Sequence, residues 1–121
     1  MESKTDLQER IFRFAVRTLK MLKQLPVNPE NQVARHQLGK SATSVGANYQ
    51  EAQAGISRAD FKNKVKIALK ESRESFYWLR ILEATNIKIN KDEMKLLLAE
   101  CKEIMLMLGA IVRKMEKGKD R

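Results

Sequence analysis

From Asp6 to Leu25 the positions Leu7, Ile11, Phe14, Ala15, Thr18, Leu22 and Leu25 recur at three- and four-residue intervals. At 3.6 residues per turn that spacing lays them on one face, which predicts an amphipathic helix over 6–25. Pro26 ends it, because proline lacks an amide hydrogen and pushes the preceding Leu25 out of helical geometry. Asn28 followed by Pro29 then has the form of an N-cap with proline at the first helical position, so a second helix is expected over 29–54. Its inner face is Val33, Ala34, Leu38, Ala42, Val45, Tyr49 and Ala52. The middle of this segment is unusually small, with Gly39, Ser41, Ala42, Ser44, Gly46 and Ala47 close together. Each glycine weakens a helix by about 1 kcal/mol relative to alanine, which is offset where another backbone approaches closely.

Gly55 is positioned as a C-terminal cap, with Ile56 as its apolar contact, and Ser57 with Asp60 as the N-cap pair of a third helix over 58–85. That helix carries Phe61, Val65, Ala68, Leu69, Ser72, Phe76, Leu79 and Leu82 on its stripe, widened by Trp78 and Ile81, and Asn86 is expected to close it in a left-handed cap. Asn90 with Glu93 caps a fourth helix over 91–116, whose stripe is Met94, Leu97, Leu98, Cys101, Ile104, Met105, Leu108, Val112 and Met115, with Gly118 ending it. Four amphipathic helices on short connections predict an all-α, antiparallel up-down-up-down four-helix bundle, one domain spanning 1–121.

Composition supports this class: the chain has 121 residues, 43% of them hydrophobic, with two prolines and five glycines. The longest apolar run, Ile104 to Val112, falls well short of the roughly 20 residues that cross a bilayer. The polar amino terminus and the single cysteine, which can form no intrachain disulfide, lead to the expectation of a cytoplasmic protein.

Candidate chemistry is sparse. The di-iron pattern of helix bundles needs Glu-x-x-His pairs, and the only histidine, His36, has Val33 three positions before it. Cys101 lies on an apolar stripe, where cysteine behaves as a small hydrophobe, and no glycine-rich phosphate loop follows a strand. The expectation is a protein with no cofactor, no metal and no catalytic site.

Charge adds more. A net +9 favours polyanionic or acidic partners. Arg10, Arg13, Arg17 and Lys20 form a ridge about 15 Å long on the first helix, with only Asp6 and Glu9 near in sequence to neutralise it. These four are the candidate contacts to an RNA or DNA backbone, without aromatic interleaving that would stack bases. The competing reading is a solvated helix face with internal pairing, such as Glu9 with Arg13. The third helix adds Lys62, Lys66, Lys70, Arg73 and Arg80, and the tail adds Arg113, Lys114, Lys117, Lys119 and Arg121. Asn48 and Glu51 share one face, and Glu71, Glu74 and Trp78 another. Because carboxylates beside a core tryptophan require partners, these five are expected to serve structural networking or a subunit contact. Phe12, Val16, Tyr77 and Ile81 lie outside the narrowest stripes, a surplus of apolar surface that points to self-association.

The segments Arg35-His-Gln-Leu-Gly-Lys-Ser-Ala-Thr-Ser-Val-Gly-Ala-Asn-Tyr-Gln-Glu-Ala52, Ser57-Arg-Ala-Asp-Phe-Lys-Asn-Lys64 and Ala68-Leu-Lys-Glu-Ser-Arg-Glu-Ser-Phe-Tyr-Trp-Leu79 resemble the 23S ribosomal RNA intervening-sequence proteins, a four-helix-bundle family. The resemblance covers nearly the whole chain. It implies an up-down bundle assembling as a homopentamer, with Asn48, Glu51, Glu71 and Glu74 as recurring polar positions and Ser72 where alanine is common. It also implies kinship to accessory variability proteins of retroelements, which bind a reverse transcriptase and nucleic acid. Two functions follow as expectations: a non-enzymatic, oligomeric, RNA-binding accessory protein, or a scaffold for a protein partner such as a reverse transcriptase.

Overall fold

The computed structural model of the protein describes residues 4–86 and 88–119. Four helices follow one another: α1 (Lys4–Lys23), α2 (Pro29–Gln53), α3 (Arg58–Thr85) and α4 (Lys91–Lys119). Each packs on its neighbours in sequence, and α1 closes the square against α4, with α2 and α3 sharing the most extensive contact. Side-chain pairs give the directions. Along the α2–α3 seam Asn31 meets Asn86, Ser41 meets Ser75 and Glu51 meets Lys64, so one helix ascends as the other descends. Arg10 with Glu100 and Arg17 with Glu93 show the same antiparallel relation for α1 and α4. The fold is the expected antiparallel four-helix bundle.

The N-termini form as their sequences dictate. The Asn28 side chain accepts from the Asn31 amide at 2.8 Å, Ser57 Oγ from the Asp60 amide at 3.0 Å and Asn90 Oδ1 from the Glu93 amide at 3.0 Å. Each satisfies an amide that has no carbonyl partner inside its helix. The C-termini differ from expectation. No described residue, glycine included, has a positive φ, so neither Gly55 nor Asn86 forms a left-handed cap. Asn86 is extended (φ −121°, ψ 100°), and Ile56 is 98% exposed rather than packed on the preceding helix. Helix α1 ends at Lys23, its last turn tightened by Gln24 and Leu25 bonding to carbonyls three residues back. Arg35 on α2 caps that end instead, its guanidinium donating to Leu22 O at 2.9 Å and Leu25 O at 3.0 Å. Gly118 does not stop α4, which continues through Lys119.

The core contains Ile11, Phe14, Leu38, Tyr49, Val65, Leu79, Leu97, Cys101 and Ile104, together with Met21, which lies beside the predicted stripe of α1. Val33 is a correction: it is 56% exposed, while the neighbouring polar Asn31 is 2% exposed. The Asn31 amide reaches inward because it has somewhere to bond, donating to Pro26 O at 2.9 Å and exchanging hydrogen bonds of 3.1 Å with Asn86. Such a satisfied amide pair removes the penalty of burial and ties the first and third interhelical connections together.

The small centre of α2 serves two contacts. Ser41 and Ala42 are fully buried, and Ser41 Oγ lies 2.8 Å from Ser75 Oγ, a separation open only to short side chains. The glycines face α1, where side chains rather than backbone meet them. A Cβ on Gly39 would lie 3.7 Å from Leu19 Cδ2, and one on Gly46 would lie 3.3 Å from Ile11 Cγ2.

Candidate nucleic-acid interface

The ridge on α1 divides when the bundle closes. Arg10 lies at the α1–α4 seam and grips Glu100 with two hydrogen bonds, Nε at 2.9 Å and Nη2 at 2.6 Å, while Glu103 stands 3.7 Å away. Arg17 pairs with Glu93 one stretch further along. Arg13 pairs with Glu9 of its own helix at 3.4 Å, as the sequence suggested, and Lys20 is exposed. Two of the four cations are therefore partly spent in clamping α4. The neutralising carboxylates are not Asp6 and Glu9 alone but Glu93, Glu100 and Glu103 on a helix far away in sequence. Their seven-residue spacing, from Glu93 to Glu100, is the signal that marks them as one line on α4. A forked arginine–carboxylate contact of this kind, half removed from water, stands at the upper end of the roughly 0–1 kcal/mol typical of surface pairs.

Outward positive charge gathers on α3. Lys66, Lys70, Arg73 and Arg80 are all exposed, and they take part in none of the ion pairs that the described residues form. Lys62 and Lys64 differ, pairing with Glu116 at 2.9 Å and Glu51 at 2.8 Å. The Glu51 hydrogen bond, then its charge, holds the Lys64 ammonium above its ordinary range. At the start of α3 an open hollow of about 780 Å³ is bordered by Arg58, Lys62, Asn63 and Lys66, and by Asp60. Of the tail cations, Arg113, Lys114 and Lys117 are exposed; the Lys119 side chain and Arg121 lie outside the described residues.

The five polar and aromatic positions expected to act together are not joined by hydrogen bonds. Asn48 bonds within α2, to Ser44 O and Ser44 Oγ at 2.9 Å each, and Glu51 is exposed on Lys64. Glu71 and Glu74 are half-buried and, among the described residues, their carboxylates have no partner. Trp78 is half-buried and meets Tyr77 edge to face, ring centroids 5.2 Å apart. His36 is exposed, and among the described residues no group of three or more His, Cys, Asp or Glu is placed to hold a metal ion. Nor is any helix long and apolar enough to cross a membrane.

Comparison with known proteins agrees with the sequence segments quoted above. A crystal structure of a protein of unknown function from the S23 ribosomal protein family of Bacteroides thetaiotaomicron VPI-5482 is similar, with a TM-score of 0.78 and 38% identity over 88% of this chain and 97% of that one. No functionally curated protein matches. The family model for the 23S rRNA-intervening sequence protein matches residues 3–110, and the chain belongs to that family.

Proposed function

We propose that this protein is a non-enzymatic accessory protein that self-associates and binds RNA through its phosphate backbone. The observation that carries this reading is the row of exposed cations on α3 that form no ion pair among the described residues, on a chain of net charge +9. Of the ridge on α1, diagonally across the bundle from α3, Lys20 is exposed and Arg13 pairs with Glu9, while Arg10 and Arg17 hold α4. Backbone contacts displace condensed counterions, so affinity for a structured RNA is expected to fall steeply, as a straight line in log affinity against log salt. Titrating the RNA at two salt concentrations checks this. Affinity indifferent to salt, or no binding at low salt, would overturn the reading.

Self-association rests on a second surface. Phe12 is 60% and Leu19 41% exposed beside Val16, on the flank of α1 that borders α2, where a shallow groove is completed by Thr43, Gly46 and Ala47. Half-buried Glu71 and Glu74, whose carboxylates lack partners among the described residues, and half-buried Trp78 fit a subunit contact on α3. Light scattering is expected to give a mass several times 14.0 kDa, a pentamer being the assembly that the family resemblance favours. A monomer at micromolar concentration would refute it. The apolar flank of α1 also supports the second reading, a scaffold that binds a protein partner such as a reverse transcriptase; binding to that partner would then persist at high salt.

A further inference from the structure

We infer that the exposed face of α3 is a binding track for single-stranded nucleic acid, in which Tyr77 stacks on a base and Lys66, Lys70, Arg73 and Arg80 hold the flanking phosphates. This rests on the reading of the protein as a nucleic-acid binder and assigns that activity a surface and a preferred strand form.

The argument begins with register. Positions 66, 70, 73, 77 and 80 follow one another at alternating four- and three-residue steps, so they form one line along the helix, turned away from its core face of Val65, Ala68, Ser72 and Leu79. The line runs about 21 Å from Lys66 to Arg80 at the helical rise, long enough to meet several phosphates. Tyr77 stands between Arg73 and Arg80 and is 55% exposed. An aromatic ring of that size left in water in a line of cations buries little by staying there, but it offers a face to any base, whatever its identity.

Strand form follows from geometry. Bases in a duplex are stacked on one another and turn only their edges outward, so a ring on a convex helix surface cannot reach a base face. A single strand can splay a base onto the ring while its neighbours' phosphates lie against the cations. Trp78, the only tryptophan, touches Tyr77 edge to face at 5.2 Å and reports on events at that ring. The α1 surface has no equivalent, since Phe12 and Leu19 lie on the flank toward α2 and its arginines Arg10 and Arg17 face α4.

The test uses the whole protein with a labelled oligouridylate and an RNA duplex of equal phosphate number. The parent is expected to bind the single strand more tightly and to change its Trp78 emission on doing so. Tyr77→Ala should weaken single-strand binding about 5- to 100-fold, the loss of one stacked base, and leave duplex binding unchanged, while Tyr77→Phe retains the parent affinity. The variant Lys66→Gln, Lys70→Gln, Arg73→Gln, Arg80→Gln keeps good helix formers in place and should reduce the salt slope by about 0.7 for each phosphate that is no longer neutralised. Circular dichroism confirms that each variant is folded. If Tyr77→Ala binds the oligouridylate as the parent does, or the quadruple variant keeps the parent's salt slope, the track is refuted while nucleic-acid binding itself stands. Absence of parent binding to either probe at low salt would overturn the wider reading as well.

Discussion

Leucine in place of Ala42 or Gly46 is expected to destabilise the bundle by about 1–3 kcal/mol, although leucine is a better helix former than glycine. Ala42 has no exposed surface, and the adjoining Ser41 approaches Ser75 within 2.8 Å between hydroxyls, so the helices around this point of α2 stand close. Three further carbons there must displace a neighbour or drive the two helices apart. At Gly46 the first added carbon already meets Ile11 Cγ2 at 3.3 Å, tighter than ordinary contact, and Ile11 is itself fully buried and has little freedom to move. Gly39 supplies the control. An added Cβ finds Leu19 and Leu22 at 3.7 and 3.9 Å, ordinary separations, so Gly39→Ala should stabilise the protein by up to about 1 kcal/mol through helix propensity alone. Urea unfolding of the three variants separates the effects. A midpoint unchanged by Ala42→Leu would show that the helices are not held at this distance by small side chains.

The small residues are legible in the sequence as an anomaly needing a cause, but their partners are not. Glycines at 39 and 46 imply close approach, and only the bundle shows that α1 side chains, not a backbone, fill the space. Local chemistry reads well: Asn28, Ser57 and Asn90 cap as predicted because cap and amide lie three residues apart. Where a partner is remote, hydrophobicity misleads. Periodicity places Val33 in the core ahead of Asn31, yet the asparagine is buried, because Asn86 arrives from the end of α3 to complete its hydrogen bonds. Gly55 and Asn86 have the composition of left-handed caps, but α2 closes through the Ala54 and Gly55 amides, which donate to Glu51 O and Ala52 O three residues back, and Asn86 is drawn into the pair with Asn31.

The candidate interface follows the same division. That the chain carries excess positive charge, and which residues carry it, is plain from composition and spacing. Which cations remain available depends on the register between α1 and α4, two helices separated by most of the chain. Once Glu93 and Glu100 are placed opposite Arg17 and Arg10, the α1 ridge loses half its outward charge and the weight passes to α3. The order of the helices, not their individual sequences, makes that decision.

Stability should fall as pH rises above about 9, and Cys101 is expected to account for a separable share of the fall. The thiol has no exposed surface and donates to Ser72 O at 3.3 Å. Burial first, then the neighbouring charge of Glu100, pushes it up from an ordinary 9.0 to about 12. In the unfolded chain the thiol gives up its proton near 9, whereas the folded protein holds it until about 12. Between those values the unfolded state binds fewer protons, so each pH unit removes about 1.4 kcal/mol, and on the order of 4 kcal/mol is lost across the window. Below 9 the contribution is fully present and constant. Burial also raises Tyr49, whose hydroxyl adds a loss of the same sign at higher pH, so the parent's profile alone does not isolate the thiol. Cys101→Ala does, because it removes the thiol and leaves Tyr49 in place. The variant is expected to be less stable at neutral pH, through a small cavity, but to lose stability less steeply than the parent between about pH 9 and 11, so that the two unfolding curves converge. Parallel profiles would show that the thiol ionises without cost in the folded bundle and that its helix stripe admits water at this position.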